Sequence, residues 1–335
     1  RDTDRSRGLG DVYKRQILPL IFQDGFIMER ESFIYKPKIV VIGSCNTDMV
    51  VKAGRLPVPG ETVLGGTFYM NPGGKGANQA IAAARLGAEV TLISKIGYDL
   101  FGLQALEIYR SEKINTEFIF TDQKSPSGVA LISVDSYGEN SIIVAPGASR
   151  SLSTEDIDKA KSKLEEADII LMQLEVPIET VEYAATIAKS YGKKVILNPA
   201  PASVLSNSFL SCVHTILPNR IEAEMLSGIK VIDEESAWRA AKAIGEKGIE
   251  NVVITLGKDG AYVKEKEEYT MIPAKEVETI DTTGAGDVFC GAFSVYLSEN
   301  HTLTESVEFA NAAAALAVTR MGAQSAIPYK REIAL

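Results

Sequence analysis

The stretch DTTGAGDVFCGAF, Asp281 to Phe293, sets threonines, glycines and an alanine between two aspartates and then runs into apolar residues. Glycines at 284 and 286 leave the backbone N–H groups of residues 284 to 287 unobstructed where a helix begins. Such a start carries partial positive charge and orphan donors, so it takes an anion. Asp287 then stands as a carboxylate beside an anion pocket, where a purely structural design would seldom put a charge that repels the same ligand. A catalytic base next to a phosphoryl acceptor accounts for it better. The carboxylate would reach an attacking hydroxyl while the amides of Gly284, Ala285 and Gly286 hold the charge developing on phosphate. Alone the motif is moderately specific, with a plain turn as its bland alternative.

Four further stretches end predicted strands, where doubly wound sheets bind ligands. GSCNTDM supplies Asn46 and Asp48, a donor–acceptor amide and a carboxylate suited to a polyol, although for this stretch alone an ordinary Asx turn is the stronger reading. NPGGKGANQA (71–80) brings glycines that permit close backbone approach, Gly74 among them, with Lys75 and Asn78 as polar contacts. It reads equally well as a glycine-rich loop opening a helix. MQLE ends in Glu175, which either meets a ligand or caps the helix opened by Pro177. PNRIEAE places Asn219 at a strand end and Glu222 on the first helical turn, where a carboxylate is favourable in any case and could also hold a hydrated magnesium ion.

Commoner patterns fail. Gly74-Lys75 has Tyr69 where a Walker A loop needs glycine and Gly76 where it needs Ser or Thr. GKGANQ puts Gln79 at the third glycine of a dinucleotide fingerprint, and no strand leads into it. The two histidines, His214 and His301, form no metalloprotease motif.

The elements that must position these groups alternate. Strand-like KIVVIGS (38–44), EVTLISKIG (89–97), ADIILMQLE, KKVILNPAP, VHTILPN and NVVITLG (251–257) are interleaved with helix-like GANQAIAAARLGA (76–88), DLFGLQALEIYRSEK (99–113), STEDIDKAKSKLEEA (153–167) and IETVEYAATIAKS. Ser153 and Asp156 have capping-box spacing. DVFCGAFSVYLSEN and TESVEFANAAAALAVTRMG close the chain as helices. Alternation predicts an α/β fold with a doubly wound, mainly parallel sheet flanked by helices. Two β-rich stretches, at about 50–72 and 125–147, break the rhythm and predict a small separate β-sheet, a lid that closes over a ligand or pairs with a second subunit.

Bulk properties exclude several classes. The 335 residues carry a formal charge of −9, which argues against a nucleic-acid binder. Three scattered cysteines read as reduced thiols of a cytoplasmic protein, without disulfide or zinc spacing. No apolar run approaches the ~20 residues of a membrane span. RDTDRSRGLGDVYKRQ at the start is polar, basic and aperiodic, the short apolar piece ILPLIF follows it, and SRGLGDVYKRQ resembles a translated sequencing-library adapter. Residues 1–27 are expected to be a non-native leader, with the native domain spanning 28–335 from Met28.

Taken together, the blocks resemble the ribokinase-like sugar kinases of the phosphofructokinase-B family, from about Lys38 to Pro328. GGKGANQA (73–80) is similar to the family's N-terminal signature and DTTGAGDVFCGAF to its C-terminal one; MQLE, NPAPA (198–202), PNRIEAE and TLGKDG (255–260) fall between them in family order. The resemblance implies ATP-dependent phosphorylation of ribose at its 5-hydroxyl. Asn46, Asp48, Gly74, Lys75, Asn78 and Glu175 would contact the sugar, Asp287 would be the base, and Gly284–Gly286 the anion hole. ATP would lie along Asn219, Thr255, Leu256, Gly257, Lys258, Asp259, Gly260, Gly286 and Asn311. Asn219 and Glu222 would place Mg2+ through water. K+ would be held by Asp281 and the carbonyls of Thr283, Ala317, Arg320 and Gly322, although Ala326 stands where the family often has a serine oxygen, leaving Ser325 or water to substitute. A homodimer through the lid is implied as well. Rival readings are a kinase of deoxyribose, fructose or a nucleoside such as adenosine, and a sugar sensor without catalysis. A dinucleotide oxidoreductase lacks its fingerprint after the first strand.

Overall fold

The computed structural model describes residues 35–137 and 139–334, so the leader expected at 1–27 lies outside the described residues. In chain order the strands are Lys38–Ile42 (β1), Asn46–Lys52 (β2), Thr67–Gly73 (β3), Glu89–Gly97 (β4), Ile119–Asp122 (β5), Gly128–Val134 (β6) and Asn140–Ala145 (β7). There follow Ile169–Met172 (β8), Lys194–Leu197 (β9), Thr215–Ile216 (β10), Asn251–Thr255 (β11), Ala261–Glu265 (β12) and Glu268–Ile272 (β13). One sheet has the order β13-β12-β11-β10-β9-β8-β1-β4-β5. It is parallel from β5 to β11 and ends in the antiparallel hairpin β12–β13. Helices cover both faces, as the continuous apolar run of β1 requires. Ile39 and Val41 enter one core, with Ala80, Val288, Phe293 and Val307. Val40 and Ile42 enter the other, with Val181, Ala237 and Ile244.

From β1 the chain builds outward to β4 and β5, then returns to lay β8 on the other side of β1. The carboxyl ends of β1 and β8 therefore flank the topological switch point, the crevice where such sheets bind ligands. Asn46 and Asp48 follow one end and Glu175 the other.

A separate four-stranded sheet, β3-β2-β6-β7, is built from the two β-rich stretches. β2 pairs antiparallel with β3 and parallel with β6, and β7 pairs antiparallel with β6. Two local expectations need correction. A strand does lead into GKGANQ, since β3 ends at Gly73, although it belongs to the small sheet and not to the parallel one. The helix foreseen over 153–167 starts at the Ser153–Asp156 capping box but is two helices, Thr154–Lys159 and Lys161–Glu166. At Ala160 and Lys163 the amides bond carbonyls three residues back, tightening the chain into 3₁₀ geometry between them.

Candidate active site

Two helix starts meet at the crevice. Lys75–Arg85 begins at Gly74, whose φ is +90°, and a Cβ there would lie 2.7 Å from the Asn46 amide nitrogen and 2.9 Å from the Ser44 carbonyl oxygen. Only glycine fits that position. Ala285–Ser298 begins at Gly284, φ +75°, with no side-chain cap. These two helices touch at Gly291, whose added Cβ would meet the Ala82 Cβ at 2.6 Å. One turn earlier on each, Asp287 meets Asn78 and Gln79. The helices thus run in the same sense and point both positive ends into the crevice.

Asp287 is buried, 7% exposed. Its Oδ2 accepts from Asn78 Nδ2 at 2.9 Å and its Oδ1 from Gln79 Nε2 at 3.0 Å. Burial pushes its carboxyl above the ordinary value, while Lys75, Asn78 and Gln79 pull against that and Glu175 adds to it. The four free amides foreseen at this turn are fewer, because Ala285 N–H donates to the Thr282 carbonyl at 3.2 Å. The site's donors there are the amides of its neighbours, in a first turn that no side chain caps.

Lys75 is shared between carboxylates. Burial works against its charge, but Asp287, Glu175 and Glu222 together hold its pKa above the ordinary value. Glu175 Oε2 accepts from Ser44 Oγ at 2.5 Å and from the Lys75 amide at 3.0 Å. It therefore caps the helix Lys75–Arg85 from across the sheet, whereas the helix Ile178–Ser190 that follows it has no side-chain cap. Asp48 is pushed up to about 6, first by burial and then by the charges of Glu175 and Asp287, against which Lys75 works. Asp48, Lys75, Asn78, Glu175 and Asp287 are thus one electrostatic cluster.

Two cavities adjoin it. The smaller, about 140 Å³, is lined by Lys75, Asn219, Glu222, Gly284 and Asp287 among others. The larger, about 730 Å³, is lined by Gly257, Lys258, Asp259, Gly260 and Asn311, with Lys275 and Phe289. Thr255 and Gly286 line both. A donor bound in the large cavity would have its end at the helix start that carries Asp287.

This arrangement has known counterparts. Residues 36–330 match the pfkB family carbohydrate kinases. The chain belongs to that family. It is 46% identical to the ribokinase of Haemophilus influenzae over 294 residues, 88% of this chain and 96% of that protein. It is also 38% identical over 291 residues, 87% and 95% of the two chains, to a deoxyribokinase of Salmonella typhi. The solved structure of Arabidopsis thaliana ribokinase complexed with ribose and ATP is similar at a TM-score of 0.81 and 30% identity, over 89% of this chain and 97% of that one.

Several residues of this carbohydrate kinase sit differently from expectation. Leu256 does not line the large cavity: its side chain is in the core and its amide donates to the Gly260 carbonyl at 2.8 Å. Asn219 lines the small cavity instead of the large one, and its Oδ1 caps the helix Arg220–Ser227 through the amides of Ile221 and Glu222. Asn46 is buried with its Oδ1 unpartnered, and a Cβ on Gly128 would fall 2.2 Å from that oxygen. It borders a different groove, of about 480 Å³, with Thr47 and Met70.

Both foreseen cation sites offer oxygen ligands. Among the described residues no cluster of three or more His, Cys, Asp or Glu side chains could hold a metal. Glu222 accepts from the Asn219 amide and Nδ2 at 2.8 and 2.9 Å, which leaves further lone pairs for water on a hydrated ion. Asp281 accepts from the Thr283 amide at 2.9 Å, from Thr283 Oγ1 at 2.6 Å and from the Gly322 amide at 2.9 Å. Those bonds outweigh its burial and hold its pKa below the ordinary value. The Ala317 carbonyl already accepts from the Arg320 amide at 3.0 Å, Ala326 is buried, and Ser325 Oγ donates to the Met321 carbonyl at 2.9 Å. The oxygen-rich set fits a hard cation, with one carbonyl partly committed.

Local pattern gives no signal for Gln173, Asn198 and Gln324, nor for Gln79 beyond its place at the third glycine of a dinucleotide fingerprint. All four are buried and bonded to one another or to Asn78.

Proposed function

We propose that this chain phosphorylates D-ribose on its 5-hydroxyl with ATP, giving D-ribose 5-phosphate and ADP. The observation that carries the reading is the shared wall of the two cavities: Gly286 borders both, and Asp287, the next residue, faces the smaller one. ATP in the larger cavity, along Thr255, Gly257–Gly260 and Asn311, directs its terminal phosphate at the amides opening the helix. Ribose sits against Asp48, Lys75, Asn78 and Glu175, close to Asn46 and the Gly74 turn. Asp287 accepts the 5-hydroxyl proton late, as attack on phosphorus makes that hydroxyl acidic. Lys75, amid three carboxylates, balances their charge and faces the transferring group. Glu222 with Asn219 would hold Mg2+ through water, and there it would supply neutralisation of phosphate charge. Asp281 with the carbonyls of Thr283, Ala317, Arg320 and Gly322 would hold K+ beside the anion site, with Ser325 or water in place of the side-chain oxygen that Ala326 lacks. The sheet β3-β2-β6-β7 serves as the lid, excluding water on closure and pairing two copies into a homodimer.

The test is turnover of Asp287→Asn, with ATP and D-ribose in the presence of Mg2+ and K+. A loss of about a thousandfold in kcat with sugar binding retained is expected. Near-normal turnover would remove Asp287 as base. The Salmonella typhi deoxyribokinase relative supports a second reading, a kinase of deoxyribose. A sugar panel compared by kcat/KM separates the two.

A further inference from the structure

Asp287 is held by a chain of side-chain amides whose orientation is forced. Asn198 Nδ2 donates to the Leu217 carbonyl at 3.0 Å, a group that can only accept. Asn198 Oδ1 must then face Gln79, and it accepts from Gln79 Nε2 at 3.2 Å. The other hydrogen on that nitrogen goes to Asp287 Oδ1 at 3.0 Å, and Gln79 Oε1 accepts from Gln173 Nε2 at 2.5 Å. Every polar atom of the Gln79 side chain is thereby committed, in a residue with 0% exposure. On the opposite side Asn78 donates to Oδ2, with its own Oδ1 held by Gln324 Nε2 at 3.0 Å. Each carboxylate oxygen takes one amide hydrogen, so the plane is set and one lone pair per oxygen stays open.

At its outer ends Gln173 Oε1 and Gln324 Oε1 are buried without a protein partner. We infer that Gln79 is a positioning residue, which orients the Asp287 carboxylate for proton transfer and sets its basicity through a hydrogen bond anchored at the Leu217 carbonyl. The inference rests on Asp287 being the base. Removing that bond leaves the carboxylate less stabilised as the anion, so its protonation moves to higher pH. The charged and titratable groups that face Asp287 are Lys75, Glu175, Asp48, Glu222 and, on its own helix, Cys290. Replacing Gln79 leaves all of them in place.

The experiment is the pH profile of kcat for the wild type, Gln79→Met, Gln79→Glu and Asp287→Asn, with ATP, Mg2+ and D-ribose, alongside KM values. Gln79→Met should move the acid limb up by about one pH unit. At pH 7 its kcat should fall about tenfold, with both KM values within about twofold. Gln79→Glu keeps the side-chain length and should move the limb further, because two carboxyl groups then share a proton. It carries the test should the Met variant not fold. If Asp287→Asn is inactive yet the limb of a folded Gln79 variant overlays the wild type, Gln79 is merely structural and the base assignment stands. If Asp287→Asn turns over normally, the base assignment falls and this inference with it.

Discussion

Asp48 costs the fold stability. It lies among Glu175, Asp287 and a single lysine, and its pKa is pushed up to about 6 from 3.8. A carboxyl raised in the folded state destabilises it wherever the group is ionised, so the cost is complete above pH 6 and fades as pH falls toward 3.8. At pH 7.5 it amounts to about 3 kcal/mol. Asp48→Asn should therefore raise Tm by a few degrees at pH 7.5, with the gain shrinking toward pH 4. The same change removes an anionic acceptor for a sugar hydroxyl, so KM for ribose should rise about thirtyfold. A variant that melts no higher than the wild type at pH 7.5 would show that the carboxylates are not in conflict.

The two helices that open into the crevice are registered by one small residue. At Gly291 an added Cβ would meet the Ala82 Cβ at 2.6 Å, the Gln79 carbonyl oxygen at 2.9 Å and the Ala83 nitrogen at 3.1 Å. Two of these are backbone atoms, which cannot swing aside. Gly291→Val must push the helices apart, at a cost of about 2–3 kcal/mol, measurable by denaturant unfolding. It should also lower kcat more than it raises KM, because Asp287 sits one turn from the contact and Asn78 and Gln79 on the other helix hold it. Wild-type stability and turnover in that variant would mean the helices are not in register there.

For the whole molecule, the small sheet carries the clearest exposed apolar surface. Met70, Met49, Leu131 and Ile143 are successive ladder partners across all four strands and so share one face. Asp48, by alternation, is on the other face, with Ala130 and Val144. Ile143 is 70% exposed and Leu131 51%, in a row that water alone would cover in a monomer. In the proposed homodimer a second copy would bury that row while the Asp48 face stays over the crevice. Ile143→Lys should shift sedimentation toward the monomer at micromolar concentration; an unchanged dimer mass would place the interface elsewhere. No helix among the described residues is long and apolar enough to cross a membrane.

Local pattern alone determined much of this protein. Alternating apolar runs and helical periods specify the doubly wound sheet, because each element must bury a face whose period the sequence displays. Glycines at helix starts and carboxylates at strand ends mark the crevice for the same reason: turn chemistry is local. The helix Glu234–Gly245 is legible in the same way, with Asp233 capping it and Ala237, Ala240, Ala241 and Ile244 at helical spacing. What only tertiary structure decided is which polar residues act together. Glu175 caps a helix 100 residues earlier in the chain, not its own neighbour. Gln79 in an alanine-rich helix looks like a surface residue until Asn198 and Asp287, 119 and 208 residues away, take its two hydrogens. A buried amide is tolerable only where distant partners converge, and no local period encodes that convergence.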